Sequence, residues 1–392
     1  MRKTLISLLL IASLGMCCIS FSGCNKEEEA FPSLAFEPAA TTATPSSEEE
    51  LQAEGLHELT VALPLTDDTV ELLMKLYYAK NNGLFPMDMT GADISLEYLN
   101  AINTPIVVNS ITSATSGETE QILGELNEEG MMPDVFLASD IDSLISSNTI
   151  ISLDQYLSDD SVNASQVYLG TLESLREGGE HYGLPFYTTV ELLTGSREYL
   201  PESGVPSFNI SEEELITYLR SIPAYNSDGT VNITRFYNAE SLIPYLDEEY
   251  ASTLISDGLS SDTDSMGADP RVSRACGMWL MNSGEFETWS NYYPNGLYFT
   301  MLPSEHVYAT VYPVCVSSSC ADPDFASDFI SFICFDRDAQ MLLRRLEPLR
   351  GFFPPVSYDG VWNELSDDED WGPQAMLYEQ FMSSADYSVA VN

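Results

Sequence analysis

The sequence predicts an α/β protein with a mainly parallel sheet, and its first third carries the supporting pattern. Apolar runs at Leu59–Leu63, Thr104–Val108 and Pro133–Ala138 are typical of buried strands, and apolar residues at helical spacing occur within 70–78 and 117–128. Strands that alternate with helices need crossover connections, which align the strands in parallel and cover the sheet with helices. A chain of 392 residues also exceeds what one core normally supports, so there is enough length for two lobes.

The rest of the chain continues with elements that can be recognised individually. The pattern predicts an extended crossing segment, a helix opened by a capping box, a buried strand, a further extended run and an amphipathic helix that begins with proline. These lie, in that order, at Tyr182–Val190, Ser211–Glu214, Cys276–Met281, Val307–Val316 and from Asp322-Pro323. We find no internal repeat, and residues 80–103 predict only an extended excursion.

The N-terminus has the features of an export signal. Arg2 and Lys3 precede an apolar run that extends from Thr4 to Ile19, and the small residues Ser22 and Gly23 stand directly before Cys24. This arrangement matches a lipobox and predicts a lipoprotein signal peptide over residues 1–23, with Cys24 as the lipidated residue. A plain transmembrane anchor is the alternative, because the apolar run is nearly long enough to span a bilayer.

Residues 24–55 predict a flexible tether between a lipid anchor and the folded part of the chain. The segment is rich in Ala, Thr, Pro, Ser and Glu and offers little to bury. Two or three acyl chains would hold such a protein firmly on the extracytoplasmic side of the cell membrane.

The charge balance excludes several kinds of partner. The formal net charge is −46, with 61 acidic and 15 basic residues. A surface this acidic does not suit nucleic acid or anionic lipid headgroups, and it disfavours a ligand with a large negative charge. No cysteine and histidine spacing indicates a metal site, so we expect no metal or cofactor. Cys276 and Cys334 suit buried positions, whereas the sequence leaves a Cys315–Cys320 disulfide open.

The predicted sheet nominates a first set of binding residues. In open α/β sheets ligands lie beyond the carboxyl ends of the strands. Thr66 and Asp67 follow the first predicted strand, and Ser139 and Asp140 follow the third. These four residues are therefore candidates for ligand contact on geometry alone.

Six segments together resemble the family 1 extracellular solute-binding proteins, the carbohydrate-binding group of ABC transporters. They occur in the order that the family has and cover most of residues 57–365. Their sequences are those of Met132–Asp140, Ile151–Leu157, His181–Tyr187, Ala275–Ser283, Ala326–Ile333 before Gln340, and Gly351–Pro354. The first strand lacks the family's early tryptophan, and residues 80–103 blur the segment that should follow it.

The resemblance implies a two-lobe, periplasmic-binding-protein-like fold of type II, with a hinge and a ligand cleft between the lobes. We place one lobe at residues 56–160 and 275–315 and the other at 161–274 and 316–392. The implied function is capture of a small, uncharged mono- or oligosaccharide for an ABC transporter permease, without enzyme activity and by a monomer. Two rigid lobes can close on such a solute through small dihedral changes in the crossing segments.

A sugar has apolar faces and a belt of hydroxyl groups, so we expect aromatic and hydrogen-bonding residues at the cleft. Trp279 suits either stacking on a sugar or a place in the core, and Arg350 suits either a hydroxyl contact or an ion pair. Tyr187 suits ligand contact or hinge packing, and one aromatic residue among Phe286 and Trp289 should face the cleft. The full set of further candidates is Tyr187, Thr188, Trp279, Asn282, Ser283, Phe286, Tyr312, Arg350 and Phe352.

Two other functions remain open at this stage. A surface-anchored glycoside hydrolase would use paired carboxylates, which 61 acidic residues make easy to find by chance. The sequence contains no nucleophile elbow, metalloprotease helix, P-loop or dinucleotide fingerprint. A glycan-binding adhesin would have the same cleft as a transport protein.

Overall fold

The computed structural model describes most of the chain from residue 57 onward. The described residues are 57–111, 123–126, 131–138, 140–157, 165–223, 233–263, 267–304, 306–347, 349–366, 371–382 and 385–389. The predicted signal peptide, Cys24, the predicted tether and Ser139 lie outside these ranges.

Twelve strands are found in the described ranges. They are β1 (His57–Ala62), β2 (Ile106–Ser110), β3 (Val135–Leu137), β4 (Arg176–Glu177), β5 (Glu180–His181), β6 (Leu184–Ser196), β7 (Thr234–Tyr237), β8 (Ser260–Ser261), β9 (Cys276–Asn282), β10 (Leu297–Thr300), β11 (Tyr308–Val316) and β12 (Asp386–Val389). Ten of them form one mixed sheet in the order β2-β1-β3-β11-β6-β9-β7-β8, with β10 on β6 and β12 on β11, while β4 and β5 form a separate hairpin.

Twelve α-helices with both ends inside the described ranges accompany these strands. They are α1 (Asp67–Asn81), α2 (Leu96–Asn100), α3 (Ile141–Ser146), α4 (Leu169–Glu173), α5 (Glu212–Ser221), α6 (Ala239–Leu242), α7 (Glu248–Ser256), α8 (Phe286–Tyr292), α9 (Pro323–Phe335), α10 (Arg337–Leu346), α11 (Asp359–Ser366) and α12 (Gly372–Met382). The predicted capping box is confirmed, because Ser211 and Glu214 exchange both hydrogen bonds at the start of α5. Asp322 accepts from the Phe325 N–H and caps α9, as the Asp-Pro pair predicts.

The first half of the sheet follows the predicted parallel pattern. β1 pairs in parallel with β2 and β3, which the strand–helix alternation predicts. The sheet then becomes antiparallel, because β11 runs opposite to β3 and to β6. Helices α1, α9 and α10 cover this half, and their apolar residues form one cluster with β1, which we call the first core.

The other half of the sheet has a separate core. β9 pairs antiparallel with β6 and parallel with β7, and β7 continues in parallel to β8. Residues of α5, α6 and α7 pack with Leu193, Met278 and Tyr298 in a cluster that we call the second core. Gly195 is required here, since a Cβ at this position would lie 2.0 Å from the Tyr298 ring.

A third cluster lies against the middle of the sheet. It joins Val190 and Leu192 of β6 to tryptophans of the C-terminal helices, Trp362 and Trp371, and to Trp279 of β9. We call this cluster the back core. It draws on residues from 168 to 382, so it fastens the two halves of the sheet together along one side.

The packing suggests a division of the chain that differs from the predicted lobe boundaries. The prediction grouped 275–315 with the first lobe, yet β9 and β10 pair with the second half of β6. It grouped 316–392 with the second lobe, yet α9 and α10 belong to the first core. We therefore propose that the first lobe contains β1–β3, α9 and α10, that the second contains residues 197–302, and that β6 and β11 cross between them.

Residues 82–105 form an ordered excursion on the surface of α10. The Arg345 guanidinium donates to the carbonyl oxygens of Ala92 and Ile94, at 2.9 and 2.7 Å. The Gly91 N–H donates to Asp338 at 3.1 Å, and a Cβ on Gly91 would lie 1.8 Å from the Asp338 carbonyl oxygen. Only glycine allows this close approach, which ties the excursion to the first core.

None of the four cysteines that the structure describes forms a disulfide. Cys276, Cys315, Cys320 and Cys334 are all free. Cys315 lies with Phe136 on one side of the sheet, whereas Cys320 packs against the first core on the other side, so these two thiols do not form a disulfide.

Within the described ranges there is no cluster of three or more potential metal ligands. None of the helices described here is long and apolar enough to cross a membrane.

Candidate functional site

The crossing strands present two chemically different faces. In β6 the side chains of Tyr187, Thr189 and Glu191 share one face, because side chains alternate along a strand. Thr310 of β11 lies opposite Thr189, and Tyr312 lies opposite Tyr187. Asn282 of β9 lies opposite Glu191. We call this set, together with Tyr308, the front face.

The front face passes between the first and second cores. Tyr187 belongs to the first core and Leu193, six residues later on the same side of β6, belongs to the second. Glu191, Thr310 and Tyr312, between these ends, are half-buried. The opposite side of β6 is continuous with the back core. The half-buried side of these strands that lies between the two cores is therefore the front face, which makes that face the candidate site.

A polar cluster occupies the centre of the front face. The Asn282 side-chain amide donates to Glu191 Oε1 at 3.0 Å and to Thr189 Oγ1 at 2.9 Å. The Asn282 carbonyl oxygen accepts from the Gly284 N–H at 3.0 Å and so fixes the amide. Burial raises the pKa of Glu191, and nearby Glu285 raises it further, although the amide of Asn282 acts in the opposite direction.

Three tyrosines surround this carboxylate. The rings of Tyr245 and Tyr308 meet edge to face with centroids 4.8 Å apart. Burial raises the pKa of Tyr245 and of Tyr312, and Glu191 adds to both shifts, which places both phenols near its charge. Aromatic rings beside a half-buried carboxylate and amide can hold the apolar face of a small solute and pair its polar edge.

The loop of residues 349–353 closes the first-core end of the front face. Phe352 lies with its ring centroid 4.6 Å from that of Tyr187 and 6.3 Å from that of Tyr312. Gly351 has φ +84°, and a Cβ there would lie 1.9 Å from the Ser283 carbonyl oxygen. The Ser283 hydroxyl donates to the Gly351 carbonyl, and Thr188 and Phe353 exchange backbone hydrogen bonds at 2.9 and 2.7 Å. The loop is thus fixed to both β6 and β9.

Arg344 supports this loop from below. It is 6% exposed, and its Nη1 donates to the Phe352 carbonyl at 2.9 Å. Burial lowers the pKa of the guanidinium. Nε and Nη2 have no hydrogen-bond partner among the described residues. Arg344 therefore positions Phe352 rather than reaching the half-exposed part of the front face.

The residues nominated from the strand ends lie at the edge of the first half of the sheet. Thr66 caps α1, and Glu347 accepts from its N–H at 3.2 Å and from its hydroxyl at 3.0 Å. Asp140 caps α3 through the Ser143 N–H at 3.0 Å. Thr66, Asp67 and Asp140 are exposed, and Asp140 comes two residues after Ala138, whose N–H bonds to the Pro313 carbonyl. We therefore retain Thr66, Asp67 and Asp140 as candidate ligand contacts at the edge of the site.

Other nominated residues are buried away from the front face. Thr188 and Trp279 are fully buried, and Phe286 is 3% exposed. Trp279 stacks on Tyr293 with centroids 5.2 Å apart and belongs to the back core, as do Phe286 and Trp289. Ser283 is buried under the loop that it fastens. We leave Thr188, Trp279, Ser283 and Phe286 out of the proposed contact set, because other side chains already enclose them.

Sequence reasoning missed the central carboxylate. The sequence nominates Tyr187, Asn282 and Tyr312 of the front face and the adjacent Phe352. It does not nominate the other residues of this region, which are Thr189, Glu191, Tyr308, Thr310 and the adjacent Tyr245. A signal was present, since Tyr187-x-Thr189-x-Glu191 and Tyr308-x-Thr310-x-Tyr312 both alternate within predicted extended segments. Arg350 lies half-buried in the 349–353 loop and has an interaction of its own.

Comparison with solved structures identifies the fold. A family 1 extracellular solute-binding protein from Alicyclobacillus acidocaldarius aligns with a TM-score of 0.54 and 14% identity, over 84% of this chain and 87% of that one. A sugar transporter from Rhizobium etli in an open conformation gives 0.59 and 16%, over 85% and 89%. An ABC substrate-binding protein from Listeria monocytogenes in complex with cycloalternan gives 0.58 and 12%, over 85% and 88%. The chain therefore has the two-lobe, periplasmic-binding-protein-like fold of solute-binding proteins.

No known family profile matches the sequence, and no curated protein matches it. At 12–16% identity the structural likeness establishes the architecture, while the solute has to be argued from the side chains of this chain.

Proposed function

We propose that this chain is a lipid-anchored solute-binding protein that captures a small carbohydrate outside the cell and delivers it to an ABC importer. The observation that carries the proposal is the front face, where half-buried tyrosines, an amide and a carboxylate lie between two separate cores. The sequence adds the expectation of an uncharged sugar. The fold supports solute binding, and two neighbours that share it are described as an ABC substrate-binding protein and a sugar transporter.

The chemistry of the front face suits a sugar. Tyr245, Tyr308 and Tyr312 supply rings for the C–H face of a pyranose. Asn282 holds Glu191 in place, the Glu191 carboxylate can accept from a sugar hydroxyl, and a tyrosine phenol can donate to one, so a hydroxyl placed there keeps both of its hydrogen bonds. Closure of the two lobes would then remove the remaining sugar surface from water.

Membrane attachment and delivery follow from the sequence. A signal peptide that ends at Gly23 and a lipidated Cys24 would keep the protein next to its permease after export. Replacement Cys24→Ser is expected to release the protein from membranes into the soluble fraction. Continued membrane binding of that variant would instead identify the apolar segment as the anchor.

A ligand screen tests the binding proposal directly. Purified residues 45–392 form the compact unit to use, with thermal unfolding measured against mono- and oligosaccharides, amino acids, peptides and polyamines. A solute at 100 times its Kd should stabilise the folded form by about 2.7 kcal/mol, which raises Tm by a few degrees. Calorimetry should then give one site per chain. Absence of any shift with every sugar would contradict the proposal.

Glycoside hydrolysis is the second candidate, because Glu191 and Glu285 lie close enough for one to raise the pKa of the other. Hydrolases use two carboxylates in this way. Chromogenic glycosides distinguish the two functions. A binding protein gives no turnover, whereas a hydrolase gives turnover that Glu191→Gln or Glu285→Gln abolishes. The exposed Glu202→Gln serves as a matched control for both variants.

A further inference from the structure

The charge distribution of the front face is one-sided. Glu191 lies on the front face opposite Asn282, and Glu285, in the turn that follows β9, is near enough to raise the pKa of Glu191. In the part of the chain that the structure describes, neither carboxylate forms an ion pair with a lysine or arginine. Two like charges at one site cost free energy unless a proton or a cation compensates them.

Most basic residues of the folded part have partners outside the front face, and Arg350 has an interaction of its own. Arg2, Lys3 and Lys26 precede residue 57, and all the other lysines and arginines are described. Arg271, which is near enough to feel Glu285, is held by Asp269 at 2.8 Å and stacks on Tyr237 at 4.1 Å. Arg344 is buried beneath Phe352. The front face thus carries Glu191 without a lysine or arginine ion-pair partner among the described residues, and Glu285 with only the more distant Arg271.

The rings around the carboxylates suit a cation. The faces of tyrosine rings carry partial negative charge, and an ammonium group gains energy when it lies over them. Tyr245 and Tyr308 make an edge-to-face pair near Glu191, and Tyr312 lies near both Glu191 and Glu285. A carboxylate inside a group of aromatic rings is a known solution for holding an ammonium group, since the charge and the rings act together.

We infer that the captured carbohydrate carries a protonated amino group, and that this group binds at Glu191 and Glu285 among Tyr245, Tyr308 and Tyr312. The inference rests on the proposed function, which supplies the premise that a sugar is bound. The side chains named above are used only to infer the charge of that sugar. It replaces the uncharged sugar expected from the sequence. Burial raises the pKa of Glu191, and a bound cation would offset that cost of ionisation.

Matched sugar pairs test the inference. Calorimetry at pH 7 compares glucose, glucosamine and N-acetylglucosamine, and then galactose and galactosamine, together with the neutral and amino disaccharides of glucose. The amine-bearing member should bind about 10- to 100-fold more tightly than its neutral match, which is the range for a charge-assisted hydrogen bond. N-Acetylation, which removes the charge while keeping the nitrogen, should remove the preference.

Variants assign the preference to the two carboxylates. Glu191→Gln keeps the shape of the side chain and should lower the affinity for the amine by a larger factor than the affinity for its neutral match, which abolishes the preference. Glu285→Gln should reduce the preference less, because Glu285 is exposed, and Glu202→Gln should not change it. An amine preference that survives both changes would overturn the assignment to these carboxylates.

The outcomes separate the inference from the proposed function. Neutral sugars that bind as tightly as their amino matches, or more tightly, would overturn the inference and leave sugar capture standing. Equal binding of the amine and its N-acetyl form would do the same, since size rather than charge would then decide. Failure of every sugar to bind would overturn both.

Discussion

The two faces of the crossing strands share one backbone and differ in almost everything else. On the front face Thr189 and Glu191 hydrogen-bond to Asn282 and lie among half-buried tyrosines. On the back face Val190 and Leu192, their neighbours in sequence, are fully buried with Trp279, Trp362 and Trp371. The alternation of a single strand thus separates the proposed ligand contacts from the packing that holds the two halves together.

The difference has a consequence for how the protein can move. A hinge needs strands that bend slightly while one side stays packed. The back core is that packed side, and the front face is the half-buried side on which the two halves could approach each other. Changes on the back face should therefore lower stability, and changes on the front face should lower affinity.

The largest effect is expected for Trp279→Ala on the back face. Removal of a fully buried tryptophan should lower the free energy of unfolding by about 3–5 kcal/mol in urea titrations. Ligand affinity of the folded fraction should stay close to that of the original protein. Trp279→Phe provides a milder change that should remain folded. A large loss of affinity in folded Trp279→Phe would show that this ring contacts the solute after all.

Asn282→Ala on the front face should give the converse result. The change removes the amide that orients Glu191, so ligand affinity should fall by about 1.5–3 kcal/mol, as for other hydrogen bonds to charged groups. Asn295→Ala is the matched control, because Asn295 donates to Glu198 at 3.1 Å on the exposed surface. Equal affinities of the two variants, measured by calorimetry, would remove Asn282 from the site.

Glu191→Gln should change the pH dependence of stability in the free protein. The pKa of Glu191 is raised in the folded state, so ionisation costs stability that protonation restores. The penalty is absent below the unfolded pKa of about 4.3 and grows as pH rises through the raised folded value. The gain in stability of Glu191→Gln over the original protein should therefore increase with pH across that window, by less than Asn282→Ala changes affinity. A gain that falls with rising pH would place Glu191 in a stabilising ion pair.

The smallest effect is expected for reducing agent. Cys315 and Cys320 lie on opposite sides of the sheet, so dithiothreitol should leave Tm unchanged. A disulfide would typically contribute about 2–4 kcal/mol. A clear drop in Tm on reduction would mean that the region around residues 315–320 has a different arrangement outside the cell.

Much of the architecture could be predicted because it depends on local patterns. Apolar runs and helical spacing located β1, β3, β9, α1 and α9, and the Ser211–Glu214 capping box gave the start of α5. The lobe to which each strand belongs could not be predicted from local patterns. Whether β9 joins the first or the second half of the sheet depends on its pairing with β6 and β7, which lie about 40 to 90 residues away in sequence.

The same distinction applies to the site. The sequence by itself determined that 182–190 and 307–316 are extended, and hence that Tyr187 and Thr189 point to one side and Thr188 and Val190 to the other. Only the tertiary structure decided which side is open. Phe353, Trp362, Trp371 and Tyr378 cover the back face, and that choice is made by contacts between distant segments whose apolar surfaces fit each other. These contacts are the reason why Trp279 lies in the back core and Glu191 lies at the centre of the candidate site.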